Sequence, residues 1–147
     1  MEIRELGPGD EALLGRLDFD EPGKAPLPPP AAARFLADPR THLWVALDGG
    51  VPVGMLLAYE LLRRRGDETV VEVYELGVAM SHRRRGVATA LWDALREALP
   101  GREAYLLVEE ANAAARAFYA SVGFAEPGER VLELDGRLND SAGRGVP

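Results

Sequence analysis

Hydrophobic residues recur along the chain with two different periods, and these divide it into alternating strands and helices. Residues 42–47 and 51–59 are apolar runs of strand length. They are joined by Asp48-Gly49-Gly50, a connection typical of a β-hairpin. Residues 69–79 predict a longer strand. The stretch 86–99 then changes to helical spacing and predicts an amphipathic helix. Its apolar face contains Val87, Leu91, Ala94, Leu95 and Ala98.

Shorter segments complete the order of elements. Strands are predicted at 2–6 and 104–108, with closing strands at Phe124 and 131–134. The remaining helices are predicted at 10–17, capped by Asp10, at 30–37, with Pro30 in the first turn, and at 112–122, ended by Gly123. Residues 18–30 predict a loop or lid. This order predicts a mixed α/β fold, in which an antiparallel meander precedes a β-α-β crossover. We expect one domain over 1–135 and a flexible tail over 136–147.

The long strand contains a change of phase. Val71 and Val73 alternate with polar neighbours, but the next apolar positions are Leu76 and Val78, so the alternation slips by one residue at Glu75. A slip of this kind is what a β-bulge produces. A bulge bends the strand away from its neighbour and leaves backbone groups that can bind an extended, amide-bearing ligand.

Directly after this strand, three arginines precede the helix. Arg83, Arg84 and Arg85 are followed by Gly86, Val87, Ala88 and Thr89. Exposed backbone N–H groups, the positive end of a helix dipole and guanidinium charge would then meet at one point. Small residues let phosphate oxygens approach the backbone, and Thr89 adds a hydroxyl. The pattern predicts a phosphate or pyrophosphate site, although a solvated charge run before an ordinary helix is the simpler alternative. A P-loop is absent, because Lys24 is the only lysine.

Composition narrows the function. The net charge is −7, which is the opposite of the usual balance in duplex-binding proteins, so we expect no nucleic-acid partner. An acidic chain with a local arginine cluster suggests an anionic ligand at the cluster and a cationic ligand elsewhere. With no cysteine and two histidines, a metal site is not expected. Neither a signal peptide nor a membrane-spanning run is visible, so we expect a cytoplasmic protein with no membrane partner.

Two residues have the chemistry of proton transfer. Glu75, at the suspected bulge, is a candidate general base, with a plain surface acid as the alternative and Glu72 as the substitute if the register differs by one. Tyr119 is a candidate acid toward a leaving group, although its helix alone favours a half-buried packing role. We expect His82 to be exposed rather than to touch phosphate, and His42 to be a strand residue rather than a catalyst. We expect Trp44 and Trp92 to lie in the core.

Together, these segments resemble the GNAT (GCN5-related N-acetyltransferase) superfamily. The family's phosphate-cradling pattern, Arg or Gln-x-x-Gly-x-Gly or Ala, matches Arg83, Gly86 and Ala88. Its later signature matches Asn112, Phe118, Tyr119, Gly123 and Phe124. The resemblance implies a mostly antiparallel sheet that splays at a bulge and holds acetyl-CoA in the gap. A closer similarity is to the aminoglycoside 3-N-acetyltransferases of this superfamily, in residues 58–61, 73–78 and 82–91.

The resemblance implies roles for individual residues. Glu75 would accept the proton of the acceptor amine, and Tyr119 would protonate the departing thiolate. The expected coenzyme-binding residues are Leu76, Gly77, Val78, Arg83, Arg84, Arg85, Gly86, Val87, Ala88, Thr89, Asn112, Ala115 and Phe118. An acidic mouth for a polycationic amine would consist of Asp18, Asp20, Glu21, Glu60, Glu109 and Glu110.

The resemblance leaves more than one acceptor open. The implied acceptor is the 3-amine of 2-deoxystreptamine in an aminoglycoside antibiotic, and the family also suggests a homodimer. A polyamine, another small amine or a protein N-terminus is the alternative acceptor. A non-catalytic acyl-CoA-binding module is the alternative outside enzymes, and the joint presence of Glu75 and Tyr119 argues against it.

Overall fold

A five-stranded mixed sheet organises the first 107 residues of the chain. The computed structural model describes residues 1–17, 23–128 and 133. The strands are β1 (Glu2–Glu5), β2 (Thr41–Asp48), β3 (Val51–Leu62), β4 (Thr69–Val78) and β5 (Ala104–Leu106). The helices are α1 (Glu11–Leu14), α2 (Pro29–Ala37), α3 (Val87–Ala98) and α4 (Ala113–Ser121). Neighbouring strands follow chain order, antiparallel from β1 to β4 and parallel between β4 and β5. The predicted meander and β-α-β crossover are confirmed.

The β2–β3 hairpin turns on two glycines. Asp48 pairs with Val51, so only Gly49 and Gly50 lie in the connection. Their φ angles are +57° and +79°, a left-handed pair that most side chains avoid and that a two-residue hairpin of this twist requires. The turn therefore fixes where β2 ends.

Each face of the sheet carries its own hydrophobic cluster. On one face, α3 places Val87, Leu91 and Leu95 against buried residues of β2, β3 and β4. On the other face, Leu6 and Leu36 pack with buried residues of β2 and β3, and residues of α1 join them. Trp44 and Trp92 are partly buried against the α3-side cluster, as expected for core residues. The alternation of inward positions along β2 and β3 supplies both faces at once.

Helix α3 approaches β3 at Gly54. A Cβ atom added there would lie 2.8 Å from Val87 Cγ1 and 3.2 Å from Leu91 Cδ1. Real Cβ contacts are essentially never that short, so glycine at 54 lets the first turn of α3 rest directly on the sheet.

Strand β4 contains the predicted bulge. Leu57 pairs with Glu75 and Ala58 pairs with Val73, which leaves Tyr74 as the extra residue. Tyr74 makes an edge-to-face ring contact with Tyr59, with 5.5 Å between the ring centroids. Pairing with β5 stops at Val73, although β4 continues for five more residues. The bulge and the end of parallel pairing therefore coincide, as a splayed sheet requires.

Several element boundaries differ from those predicted. Helix α1 ends at Leu14 rather than Leu17. Asp10 does not cap it, because its carboxylate accepts hydrogen bonds from Arg4 and from the Gly7 N–H. Strand β5 ends at Leu106 rather than at residue 108.

The chain divides into two compact units, Met1–Leu107 and Val108–Pro147. Apart from residue 133, the closing strand predicted at 131–134 and the tail from 136 lie outside the described residues, as do residues 18–22 of the predicted loop.

Candidate active site

The connection between β4 and α3 forms a tight, polar turn. Ala79 N donates to Val53 O at 2.9 Å, which ties the start of the connection to β3. A short 3₁₀ helix, Met80–His82, follows. Arg83 Nε then donates to Val78 O at 3.0 Å, so the first arginine folds back on the end of β4. We call residues 83–89, where the sequence predicts a pyrophosphate site, the pyrophosphate turn.

The backbone of the pyrophosphate turn is unusual in two places. Gly86 has φ +81° and is the N-cap of α3. Arg84 has φ +61°, a left-handed conformation that is rare outside glycine, asparagine and aspartate. No side chain of the described residues caps α3. The N–H groups of Val87, Ala88 and Thr89 therefore have no partner within the helix and point out of its N-terminus.

The shape and charge of this turn fit an anionic diphosphate. A Cβ atom added at Gly86 would meet nothing within 4 Å, so the approach to the helix end is open. Arg83, Arg84 and Arg85 are exposed beside it, and Ala88 is small. Unpaired N–H groups, the helix dipole and guanidinium charge thus converge as the sequence predicts.

Beyond the bulge, β4 leads from this turn into the sheet. Gly77 is buried and pairs with Met55, while Leu76 and Val78 pack against the α3-side cluster. Their other backbone edge extends past the last pair with β5. This edge can pair with an amide-bearing chain as an added strand would.

A cavity of about 460 Å³, which we call the Glu75 cavity, lies on the face of the sheet opposite α3. Side chains from α1, α2, β2, β3 and β4 meet there, together with residues that precede α2. Most of its wall is apolar. The large apolar residues lining it are Leu14, Leu17, Leu27, Phe35, Leu43, Met55 and Leu57.

Two charged residues line the described part of the Glu75 cavity, Glu75 and Lys24. Glu75 pairs with Leu57 across the strands, so the residue after the bulge carries a carboxylate onto the cavity face. The Glu75 charge also contributes to raising the pKa of Tyr59, although burial of that phenol is the main cause. A carboxylate in a largely apolar wall can hold an ammonium group and accept its proton.

The sequence does not reveal most of the Glu75 cavity. Leu14, Phe35 and Met55 read as ordinary core positions, and nothing in their spacing shows that they meet. One signal was available, since Leu57 lies opposite Glu75 once the hairpin register and the bulge are known. In the sequence, Lys24 stands out only as the sole lysine of the chain.

The second unit contains the predicted α4 residues. Asn112 Oδ1 accepts a hydrogen bond from Ala115 N at 3.1 Å and caps the helix. Phe118 and Phe124 make edge-to-face contacts with Tyr119, at centroid distances of 5.4 and 5.9 Å. Burial raises the pKa of the Tyr119 phenol above its usual value, so it is protonated at neutral pH and can donate a hydrogen bond or a proton.

The acidic residues proposed for an amine-binding mouth come from different segments of the chain, and the structure describes three of them. Glu60 lies on β3, where it accepts hydrogen bonds from His42 Nε2 at 2.9 Å and from Thr69 Oγ1 at 2.5 Å. The Thr69 hydroxyl is the main cause that lowers the pKa of Glu60, and His42 adds to it. Glu109 and Glu110 are exposed in the second unit. Asp18, Asp20 and Glu21 lie outside the described residues.

Both histidines make structural contacts. His42 Nδ1 lies 2.8 Å from Glu5 Oε1, so its ring bridges β1 and β3. The expectation that His82 is exposed is wrong, because its side chain is only 18% exposed. His82 Nε2 lies 3.0 Å from Asp48 Oδ2, and Nδ1 lies 2.9 Å from Ser81 Oγ. Asp48 and His82 are far apart in sequence, so only the folded hairpin reveals the contact.

Over the described part of the chain, no three His, Asp or Glu side chains form a group suited to a metal ion. No described helix combines the length and the apolar character that crossing a bilayer demands.

Comparison with known proteins identifies relatives of this arrangement. Residues 13–124 match the family model for the acetyltransferase (GNAT) family. The N-alpha-acetyltransferase RimI of Mycobacterium tuberculosis (strain ATCC 25618 / H37Rv) is 38% identical over 108 residues, which cover 74% of this chain and 67% of RimI.

Two solved structures share the fold over nearly the whole chain. The aminoglycoside acetyltransferase HMB0005, from an uncultured soil metagenomic sample, has 30% identity and a TM-score of 0.79, with 94% of this chain and 98% of that chain covered. AAC(6')-Iy, in complex with the bisubstrate analog CoA-S-monomethyl-acetylneamine, has 23% identity and a TM-score of 0.72, with 93% and 98% covered. At 23% identity, the likeness to AAC(6')-Iy shows a shared fold.

Proposed function

Because the chain belongs to the GNAT acetyltransferase family, we propose that it acetylates an amino group of an aminoglycoside, the 3-amine of 2-deoxystreptamine. The coarser activity, acetyl transfer from acetyl-CoA to an amine, follows from the family. The observation that carries the proposal is the position of Glu75, which follows the β4 bulge and lines a cavity large enough for a small-molecule amine.

Acetyl-CoA supplies an acetyl group already activated as a thioester. The N–H groups of Arg84 to Thr89 and the adjacent guanidinium groups would hold its pyrophosphate. Leu76 to Val78 would pair with the pantetheine amides through the backbone edge past the bulge. A backbone N–H near Val78 would polarise the thioester carbonyl. Asn112, Ala115 and Phe118 are proposed to complete the coenzyme site.

Glu75 would then prepare the acceptor. Free amines are mostly protonated at neutral pH and cannot attack a carbonyl in that form. The Glu75 carboxylate would accept this proton, directly or through one water molecule. The apolar lining around Glu75 strengthens its attraction for an ammonium group, because fewer water molecules compete for the charge.

Tyr119 would return a proton to the leaving group. The departing thiolate resembles a cysteine thiolate, whose conjugate acid has a pKa of about 8.5. Burial raises the pKa of Tyr119, so the phenol keeps its proton at neutral pH and can donate it to the sulfur as the carbon–sulfur bond breaks. Replacement by phenylalanine keeps the ring contacts with Phe118 and Phe124 but removes this proton.

An aminoglycoside is supported as the acceptor by the likeness to HMB0005, which extends over almost the entire length of both chains at 30% identity. The net charge of −7 also favours a polycationic ligand through long-range attraction. Glu109, Glu110, Asp18, Asp20 and Glu21 are proposed to contribute to this attraction. We assign Glu60 a weaker part, because both of its carboxylate oxygens already accept hydrogen bonds.

A protein N-terminus is the second candidate acceptor. It is favoured by the 38% identity to RimI and by the wall of the Glu75 cavity, which in its described part has one carboxylate among many apolar side chains. A single amine on an apolar residue needs one carboxylate and apolar contacts, whereas an aminoglycoside presents several ammonium groups.

A thiol-release assay with acetyl-CoA separates the two acceptors. Gentamicin, spermidine and short peptides with an apolar N-terminal residue would be compared at equal concentration. We expect the highest kcat/KM for gentamicin, with the acetylated position identified by NMR of the product. Higher kcat/KM for a peptide would support the second candidate. Release with none of them, although acetyl-CoA binds, would support a non-catalytic acyl-CoA-binding module.

The salt dependence of the same assay tests how the acceptor is attracted. Dissolved salt screens interactions between exposed charges over a distance of about 8–10 Å at physiological ionic strength. The KM for gentamicin should therefore rise from 50 to 500 mM NaCl, while the KM for a singly charged amine should change little. A flat response for gentamicin would contradict electrostatic capture.

A further inference from the structure

The connection between β4 and α3 is held mainly by hydrogen bonds. Ala79 packs against the α3-side cluster, but residues 80–86 contribute no side chain to either cluster in the described structure. Met80 is 82% exposed, and all the others except His82 are exposed as well. A segment whose side chains are mostly exposed has little packing to fix its position. Its polar contacts must therefore decide how well the pyrophosphate turn is ordered.

His82 supplies a side-chain link from this connection to the β2–β3 hairpin. Its Nε2 lies 3.0 Å from Asp48 Oδ2, and a carboxylate can only accept, so Nε2 carries the hydrogen. Nδ1, 2.9 Å from Ser81 Oγ, can then accept from the hydroxyl. Asp48 is the last residue of β2, held in place by its pair with Val51 across the two-glycine turn. The bond therefore joins a segment with little buried packing to the paired end of β2.

We propose that His82 is a positioning residue for acetyl-CoA, and that its bond to Asp48 fixes the pyrophosphate turn before the coenzyme binds. The inference rests on the proposed location of the pyrophosphate at this turn. His82 acts through the backbone of its neighbours, since Arg83 and the left-handed Arg84 follow directly. A site ordered in advance loses less conformational entropy on binding, and the gain appears as affinity.

Electrostatics alone predicts the opposite effect for Asp48. The hydrogen bond from His82 lowers the pKa of Asp48, and the nearby charge of Arg85 lowers it further, so the group is a carboxylate at neutral pH. A negative charge beside an anion-binding turn repels phosphate. Removing that charge should strengthen coenzyme binding unless the carboxylate has a positioning role that matters more.

The two roles of Asp48 predict opposite changes in acetyl-CoA affinity, so measuring that affinity in variants distinguishes them. Acetyl-CoA affinity would be measured by calorimetry, and KM and kcat by thiol release, for Asp48→Ala, His82→Ala, the double variant and Asp48→Asn. We expect each alanine variant to weaken acetyl-CoA binding by about 3- to 10-fold, as for loss of one hydrogen bond, with kcat changed by less than about twofold. The double variant should be no weaker than either single variant, because both remove the same bond.

Asp48→Asn keeps an acceptor for His82 and should bind acetyl-CoA at least as well as the wild type. Asp93→Ala is the matched control, because Asp93 accepts a hydrogen bond of similar length, 3.0 Å, from Arg96 on the surface of α3. It should leave affinity unchanged. His82→Gln, which keeps a donor toward Asp48, serves if an alanine variant does not fold, and it should bind within about twofold of the wild type.

Tighter binding by Asp48→Ala, additive losses in the double variant, or a fall in kcat with unchanged KM would overturn the proposal. Ala88→Glu separates this failure from failure of the coenzyme site itself. A carboxylate placed at the uncapped end of α3 should abolish pyrophosphate binding. If Ala88→Glu binds acetyl-CoA normally, the pyrophosphate is located elsewhere. If it loses binding while Asp48→Ala does not, only the role of His82 is wrong.

Discussion

The pyrophosphate turn follows the end of β4, and the same strand carries Glu75 into the Glu75 cavity, but the two sites are built in different ways. The turn is made by the backbone of residues 83–89, through two left-handed residues and an uncapped helix end. The cavity is made by side chains that lie between Leu14 and Glu75 in the sequence and come from five elements. In the proposed function, main-chain groups that most substitutions keep would recognise the coenzyme at the turn, whereas the cavity changes with every lining residue. Donor binding should therefore be robust and acceptor choice variable.

The largest effect is expected from Glu75→Gln. Removing the general base should lower kcat by about 10²- to 10⁴-fold and leave acetyl-CoA affinity within about twofold. Thiol release and calorimetry measure the two quantities. Glu72→Gln is the matched control, because Glu72 lies on the same strand before the bulge and interacts with Tyr105. If Glu72→Gln is the inactive variant, the base has been assigned to the wrong glutamate.

Gly54→Ala should displace the pyrophosphate turn indirectly, through α3. The new Cβ atom, 2.8 Å from Val87 Cγ1, must push α3 away from the sheet. Strain of this kind typically lowers the free energy of unfolding by about 1–3 kcal/mol, and the displaced helix end should raise the KM for acetyl-CoA. Urea unfolding and thiol release measure both. At Gly7, where an added Cβ meets nothing within 4 Å, the same substitution should be nearly neutral. Normal stability of Gly54→Ala would show that α3 is not seated on β3 as described.

Arg84→Gly should separate backbone strain from charge. A left-handed conformation costs a non-glycine residue about 1–2 kcal/mol, which glycine relieves while its own flexibility offsets part of the gain. The melting temperature should stay the same or rise slightly, whereas acetyl-CoA affinity should fall several-fold with the lost cation. Arg64→Gly, an exposed arginine in the β3–β4 turn, should leave affinity unchanged. Equal affinity losses in the two variants would mean that overall charge, rather than the turn, attracts the coenzyme.

Glu60→Gln should have the smallest effect of these substitutions. It should change the free energy of unfolding rather than substrate binding. The folded state lowers the pKa of Glu60, so its contribution is present above the unfolded value of 4.5 and is lost as pH falls through the folded value. In urea unfolding, the wild type should lose more stability than Glu60→Gln from about pH 5 to 3. Glu97→Gln, on the exposed surface of α3, should follow the wild type. If the pH profile is unchanged and the KM for gentamicin is raised, Glu60 contributes to amine binding rather than to stability.

The same contrast explains what could be predicted from the sequence. The turn depends on residues that are neighbours in the chain, so Gly86, Ala88 and the helix after them were sufficient to predict it. The slip at Glu75 was visible because alternation is a local property of one strand. In contrast, the contact between His82 and Asp48 exists only because the β2–β3 hairpin folds back beside the end of β4.

Polar side chains were the hardest to predict. Asp10 stands where a helix cap belongs, but Arg4 on β1 and the Gly7 N–H compete for its carboxylate. Glu60 looks like a surface acid in the sequence, because nothing there shows that His42 and Thr69 lie on either side of it. Partners of this kind are set by strand register, which a single sequence does not specify.

The extra residue in β4 interrupts regular strand pairing, and this has a consequence for stability and activity. Without Tyr74, the remaining residues from Val71 to Val78 would alternate regularly, and both apolar clusters would keep their members. Deleting Tyr74 would thus yield a straighter strand able to extend its ladder with β5, at the loss of the ring contact with Tyr59. Such a protein should be more stable than the wild type and should not catalyse acetyl transfer. Regular pairing would serve folding better, so we expect the kink to serve turnover at some cost in stability.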